Sequence, residues 1–374
     1  MNKIQRTFLF ALLICMILLT GCASDNEQIK APETLKITAE LPEDYPKTLS
    51  KYEVDWYVQD DETAIQNLLH GEIVSAEEHK MGVTYRTESD GLNVYSGDMH
   101  GGFYYYREQT DRAPEWDEDM FMLSKAENEG SKTDATHLRF GGGEMHSYDK
   151  TDLDFEPQQA VLDTVTEKIR TLGLPEVDLY RFEARDADTL NVNREIYNTY
   201  AEQYLENGVD AEKIDTPFSE KDEHYVFWYR QMLNGIPFTS EIWERSTRET
   251  PTETSVYVRY DKDGIFGLKA ENLYVIGDEL EKVNIITPQE AIDVYVKEYS
   301  KAIHFENTEI TNAELNYVVV LDKDGMYARP AWIITMVTEM PVENDPLHET
   351  LPENTVIAVS SDTGVILERE TDTR

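Results

Sequence analysis

Glu156-Pro-Gln-Gln-Ala-Val161 recurs, 131 residues further on, as Thr287-Pro-Gln-Glu-Ala-Ile292. The reading of this pair decides the expected fold. Both look like helix starts, because proline is tolerated in a first turn whose N–H groups have no helical partner. In the second copy Thr287 and Glu290 are also spaced as a capping box. Behind the first, Val161, Val165 and Ile169 repeat at four-residue spacing and Gly173 closes the helix. Behind the second, Ile292, Val296 and Tyr299 recur, with Tyr295 and Ile303 on nearly the same face. Each helix then carries one apolar stripe that needs a neighbouring sheet to cover it.

Strand signals follow both helices. His224-Tyr-Val-Phe-Trp-Tyr-Arg-Gln-Met-Leu233 runs into Asn234-Gly235 and returns as Ile236-Pro-Phe-Thr-Ser-Glu-Ile-Trp243. Asn-Gly between apolar runs is a strong hairpin signal. Ser255–Tyr260, the turn Asp261-Lys-Asp-Gly264 and Ile265–Leu268 predict a second hairpin. In the second copy Leu315–Leu321, Asp322-Lys-Asp-Gly325 and Ala331–Val337 predict one hairpin, and Thr355–Val359, Ser361-Asp-Thr-Gly364 and Val365–Glu368 another. Residues 193–213 read as an inserted helix with Ile196, Tyr200 and Tyr204 on one side. Upstream, Tyr52, Val54, Trp56 and Val58 alternate as in a strand, and Asp61–His70 has the pattern of a short helix before Gly71. Val83–Arg86, Leu92–Tyr95 and Gly102–Tyr106 follow as a meander, while 110–153 reads as loop-rich. The expected fold class is therefore α+β, with a β-rich region at 47–153 and two helix-plus-antiparallel-sheet modules at 154–282 and 283–374.

The first 22 residues carry the clearest functional signal. Lys3 and Arg6 precede an unbroken apolar run from Phe8 to Leu19, and Leu19-Thr20-Gly21-Cys22 follows. Crossing a bilayer takes about 20 apolar residues, so this shorter run fits a signal peptide at 1–21. The last four residues resemble the lipobox of bacterial lipoproteins. The small Gly21 opens the bond before Cys22 to a signal peptidase, and the Cys22 thiol takes a diacylglyceryl group as a thioether. Two or more acyl chains anchor stably, each buried methylene contributing about 0.8 kcal/mol. Residues 22–46 are polar and proline-containing and read as a flexible tether, a coil spanning roughly 30 Å. The expected location is the extracytoplasmic face of a cell membrane, with palmitate-type acylation at Cys22.

Composition narrows the partners. The chain has 374 residues, with 74 acidic against 34 basic side chains and a formal net charge of -40. A field of that sign repels phosphate backbones, so nucleic acid is excluded as a partner. The two cysteines are Cys15, inside the leader, and Cys22. The exported chain is therefore stable without disulfides.

Two motifs carry a family resemblance. Tyr229-Arg-Gln-Met-Leu-Asn-Gly-Ile-Pro-Phe238 is similar to the propeptide-type (FTP) motif of a Tyr/Arg-rich strand, Gln, then Gly-Ile-Pro. Arg329-Pro-Ala-Trp332 followed by Val359-Ser-Ser-Asp-Thr-Gly-Val-Ile-Leu367 resembles the ending of PepSY modules. Tandem PepSY-like modules behind a membrane anchor are similar in layout to the YycH/YycI regulators. The resemblance implies a protein that restrains or senses through another envelope or membrane protein.

Candidate chemistry was weighed residue by residue. Asp261-Lys-Asp-Gly264 and Asp322-Lys-Asp-Gly325 invite a calcium reading, but position 12 of each loop is Asn272 or Ile333 where an EF-hand needs glutamate. Ser147-Tyr-Asp-Lys150 matches Ser-x-x-Lys, yet the only Ser-Asp-Asn is Ser24–Asn26, upstream in the tether. His100, His137 and His146 with Glu144 lack metal-site spacing. Trp228, Trp243 and Trp332 read as sheet-packing rings or a pocket lining. The reading that results is a lipid-anchored, extracytoplasmic binding or regulatory protein with no cofactor, no metal and no catalytic activity. The alternatives are a solute-binding lipoprotein of a transporter and, behind it, an envelope hydrolase using Ser147 or the histidines.

Overall fold

A computed structural model describes residues 35–96, 101–107, 146–208, 213–243, 252–299, 307–341 and 349–367. Strands take 48% of these residues and helices 22%, in two large sheets. The β content overturns the expected pair of helix-plus-sheet modules.

The strands are β1 (Lys36–Ile37), β2 (Thr48–Trp56), β3 (Ser75–His79), β4 (Gly82–Arg86), β5 (Asp90–Tyr95), β6 (Gly102–Arg107), β7 (Val177–Arg185) and β8 (His224–Leu233). They continue as β9 (Ile236–Pro237), β10 (Ser255–Asp261), β11 (Gly264–Glu271), β12 (Tyr274–Asn284), β13 (Thr308–Asp322), β14 (Gly325–Pro341) and β15 (Thr350–Ser360). The helices are α1 (Asp61–Leu68), α2 (Gln158–Leu172), α3 (Ala187–Glu206) and α4 (Pro288–Tyr299). A six-stranded sheet has the order β1-β13-β14-β2-β12, with β15 also on β14. A nine-stranded sheet has the order β3-β4-β5-β6-β11-β10-β8-β7, with β9 on β8.

The chain crosses between the sheets, and this is why the module reading fails. Strands β1 and β2, from the tether and the N-terminal region, pair with β13, β14 and β12. Strands β3 to β6 instead join β11, extending the sheet that holds α2's neighbours. Strand β12, which the sequence reading did not single out, pairs with β2 through two register shifts. Period-two patterns say that a segment pairs, but not with which partner.

Local expectations fare differently. Thr287 and Glu290 make the reciprocal capping box, with the Thr287 N–H donating to Glu290 Oε2 at 2.7 Å and the Glu290 N–H to Thr287 Oγ1 at 3.1 Å. Gly173 ends α2 in the left-handed region at φ 71°, where a side chain is strained. In the first copy, however, Pro157 is the N-cap, and Asp152 Oδ1 accepts from the Gln158 N–H at 2.8 Å. Both Asp-Lys-Asp-Gly tetrads are hairpin turns, joining β10 to β11 and β13 to β14. The inserted helix starts six residues earlier than expected, at Ala187, and ends at Glu206. Its buried stripe is Leu190, Asn193, Tyr197, Ala201 and Tyr204, leaving Ile196 and Tyr200 half-buried beside it.

Residues 35–46, expected within the tether, belong to the folded body. Leu35 is buried, β1 pairs in parallel with β13, and Ala39, Leu41 and Tyr45 pack against the six-stranded sheet's core. The Tyr45 ring meets Trp332 edge-on at 5.2 Å.

Each sheet has its own core. Helix α4 places Ala291, Ile292, Tyr295 and Val296 on one face of the six-stranded sheet, against Leu315, Tyr317, Trp332 and Ile334. The other face is buried too, with Trp243 over Val318, Val320, Ile333 and Ala358. Helices α1 and α2 cover one face of the nine-stranded sheet through Ala64, Leu68, Val161, Val165, Ile169 and Leu172. The sheets meet at an aromatic seam. Trp56 stacks on Tyr274 at 5.0 Å, Tyr274 on Phe238 at 5.5 Å, and Phe238 leans on Tyr317 at 5.6 Å. Gln231 closes the seam, its amide donating to Tyr274 O and accepting from the Tyr274 N–H, both at 2.8 Å. Burial among apolar groups holds the Tyr274 phenol far above its ordinary pKa, and its hydroxyl donates to Thr252 O. Among the described residues no helix is long and apolar enough to cross a membrane.

Candidate functional site

The face of the nine-stranded sheet opposite α1 and α2 is polar and aromatic. Side chains directly opposite one another on paired strands share a face, so the register defines rows across it. One row runs Arg181, Trp228, Tyr257, Lys269, Tyr104, Asn93, Thr84, Glu77, one residue from each of eight strands. Beside it runs a second: Glu183, Val226, Arg259, Gly267, Tyr106, Gly91, Arg86, Ser75. Trp228, Tyr257, Lys269, Tyr104, Asn93 and Thr84 are all half-buried, whereas Arg181 is exposed.

Two glycines keep this face flat. A Cβ on Gly91 would stand 2.2 Å from the Tyr106 ring, so the ring lies across the backbone there. The Arg259 stem likewise lies over Gly267, in ordinary contact with the place a Cβ would take. Guanidinium groups stack on the rings: Arg181 lies 4.5 Å from the Trp228 ring centre and Arg259 5.2 Å from that of Tyr257. Such contacts contribute about 0.5–1 kcal/mol each at exposed sites. Burial pulls the Arg259 guanidinium below its ordinary pKa, a pull the neighbouring Tyr104 hydroxyl partly offsets.

Several charges in the rows are paired locally. Glu183 accepts from Arg181 and, at 2.9 Å, from Arg185 Nε. Arg185 also lies over the Trp228 ring, 5.9 Å from its centre. Lys269 Nζ meets Glu271 at 2.7 Å, and Thr84 Oγ1 donates to Asn93 Oδ1 at 2.6 Å. Arg86 donates to the Tyr106 hydroxyl at 2.9 Å. The face thus carries rings and a dense array of hydrogen-bonding groups, while Val226, Arg259 and Arg185 on it are buried.

The residues singled out from sequence fall elsewhere. Gly21 and Cys22, with the whole leader, lie outside the described residues, as do His100, His137 and Glu144. His146 is exposed, and its backbone N–H and carbonyl are both held by the Asn193 amide, at 2.8 and 3.0 Å. Lys150 reaches Asp186 at 3.2 Å, and this hydrogen bond raises its pKa. A catalytic lysine base needs the opposite shift. The first Asp-Lys-Asp-Gly loop is filled by a guanidinium. Arg107 donates to Asp261 Oδ2 at 2.5 Å and to the Asp263 carbonyl at 3.1 Å. Trp243 and Trp332 are wholly buried packing rings. Trp228 alone of the three is half-buried, on the polar-aromatic face. Among the described residues no three His, Cys, Asp or Glu side chains gather as a metal site.

Sequence reasoning missed the row. Its trace was present as outward aromatic or cationic residues at period two: Tyr104 and Tyr106, Trp228 and Arg230, Tyr257 and Arg259, Arg181 and Glu183. Only the pairing register brings them together.

The fold defines a class: a mostly antiparallel, two-sheet body with helices packed on the sheets. No family model matches the chain, and no curated protein matches it. The chain is similar in structure to an uncharacterized protein from Eubacterium rectale ATCC 33656 seen in a crystal structure. The TM-score is 0.54 and the identity 14%, over 90% of this chain and 91% of that one. At that identity the likeness shows a shared fold over nearly the full length of both chains.

Proposed function

We propose that this is a lipid-anchored binding or regulatory protein of the extracytoplasmic membrane face, acting without catalysis. One observation carries it: Leu19-Thr20-Gly21-Cys22 directly after the twelve-residue apolar run Phe8–Leu19. An acylated Cys22 stands thirteen residues before Leu35, where the chain enters the folded body beside β13. A coil of that length spans roughly 20 Å, so the body sits near the headgroups. A body with a charge of -40 is held there against the repulsion of anionic lipids by the anchor alone. The polar and aromatic row across the nine-stranded sheet supports binding as the activity.

The test is acylation. Cells fed labelled palmitate incorporate it into the wild-type chain and lose both label and membrane retention in Cys22→Ser. Equal label and retention in the two chains defeats the proposal.

A further inference from the structure

We infer that residues 35–46 form a releasable strap, latched at its tethered end and fixed at the other, which covers the six-stranded sheet beside Trp332. The inference goes beyond the anchoring reading above. It uses that reading in one respect only, that the segment before Leu35 ends in an anchor.

Three points fix the path of the strap. Ile37 lies beside Ile310 on the outer edge of β13. Tyr45 meets Trp332 of β14 edge-on. Thr48 then opens β2, on the side of β14 away from β13. The strap thus crosses the sheet from one strand to the third, and Ala39, Leu41 and Tyr45 pack on the core that α4 also covers. Ile310, Ala313 and Trp332 in that core are almost fully buried.

The hold is slight at one end and firm at the other. Between Leu35 and Leu49 no residue is buried, and Ile37 is 39% exposed. Strand β1 is two residues long, and the Thr38 and Ala39 N–H groups both donate to one carbonyl, that of Ile310, at 3.0 Å. The Thr38 hydroxyl adds a bond to Glu309. At the far end the Lys47 carbonyl accepts from the Ile285 N–H at 2.9 Å, and Leu49 is buried in β2. Under the strap, β13 and β14 pair along their length from Thr308 to Asp322. A segment with few buried apolar side chains and exposed hydrogen bonds opens locally while the ladders beneath it stay closed. The tether joins at Leu35, so strain along it reaches Leu35 and β1 first and Tyr45 last. Opening bares the Trp332 ring, and the strap therefore couples the pull on the tether to exposure of an apolar surface.

The experiment uses the chain with Cys22→Ser, freed of residues 1–21. In native-state hydrogen exchange, the Thr38 and Ala39 amides are expected to be at least about a hundredfold less protected than the amides of the β13–β14 ladder. The double variant Leu35→Asp, Tyr45→Ser is expected to lose the protection at Thr38 and Ala39 and to keep that of the ladder. It is also expected to bind Nile red, an uncharged apolar dye, more strongly than the parent does. A synthetic peptide of residues 33–47, added in trans to the variant, is expected to displace the dye. Exchange of Thr38 and Ala39 in step with the ladder overturns the proposal, because the segment then opens only with the whole fold. So does a variant whose ladder loses protection along with the strap, a dye signal no greater than the parent's, or one that the peptide leaves unchanged. A chain with Cys22→Ser carries no acyl group, so these outcomes and palmitate labelling at Cys22 stand or fall separately.

Discussion

The two sheets solve the same problem in opposite ways. The six-stranded sheet is buried on both faces, by α4 on one side and by Trp243 and its neighbours on the other. Its central strands therefore read as continuous apolar runs, as in Tyr317-Val-Val-Val-Leu321 and Ala331-Trp-Ile-Ile334. The nine-stranded sheet has an apolar face under α1 and α2 and a polar-aromatic face opposite, so its strands alternate, as in Ser255-Val-Tyr-Val-Arg-Tyr260. A sheet with one polar face alternates along each strand, whereas a sheet packed on both faces reads as continuous apolar runs. The difference assigns apolar packing to both faces of the first sheet and to one face of the second.

Two tryptophans test that assignment most sharply. Trp332 is wholly buried in the six-stranded sheet, and its Nε1–H donates to the Ile286 carbonyl at 3.0 Å. Trp332→Ala is expected to cost about 3–5 kcal/mol, read by chemical denaturation. Trp228→Ala, half-buried on the polar-aromatic face, is expected to cost roughly 1 kcal/mol, chiefly its stacking with Arg181 and Arg185. Equal losses at the two positions would break the comparison.

The seam comes next. Gln231→Leu leaves the Tyr274 backbone N–H and carbonyl without their buried partners. The expected loss is about 2–3 kcal/mol, and hydrogen exchange at Tyr274 should rise with it. A variant with unchanged exchange at that amide would show that the sheets hold together without the glutamine.

A smaller effect depends on pH. Burial tends to raise the Asp362 carboxyl, but hydrogen bonds from Lys51 and Ser360 outweigh it and hold its pKa below the ordinary 3.8. Lys51 Nζ lies 2.7 Å from Asp362 and 2.9 Å from Glu281, clamping β2 and β12 to the turn after β15. A depressed carboxyl contributes stability that is fully present above its unfolded value and is lost as pH falls through its folded one. Asp362→Asn should therefore be less stable than the parent at neutral pH, by roughly 1 kcal/mol. The two should converge as pH drops below 3.8. A difference that persists unchanged at low pH would assign the loss to something other than charge.

The smallest expected effect separates the two repeat helices. Thr287→Ala removes the capping box of α4 and is expected to cost about 1 kcal/mol by thermal unfolding. Ala substitution at Glu156, the position equivalent by repeat, leaves the first turn of α2 capped by Asp152.

What could be read from the chain alone was local. The Thr287–Glu290 box, Gly173 at a helix end and the two Asp-Lys-Asp-Gly turns are decided by residues within a few positions of one another, and the structure has them as expected. The proposed leader and acylation of Cys22 rest on a linear signal alone. Which strand lies beside which was not legible, because an alternating segment such as Tyr52-Glu-Val-Asp-Trp56 suits either sheet equally well. Its pairing with β12 and β14 is settled by burial against residues more than 200 positions away. The row from Arg181 to Glu77 has the same origin. Every member is a common surface residue by itself, and tertiary register alone sets eight of them in line, since side chains across strands become neighbours only when distant segments hydrogen-bond.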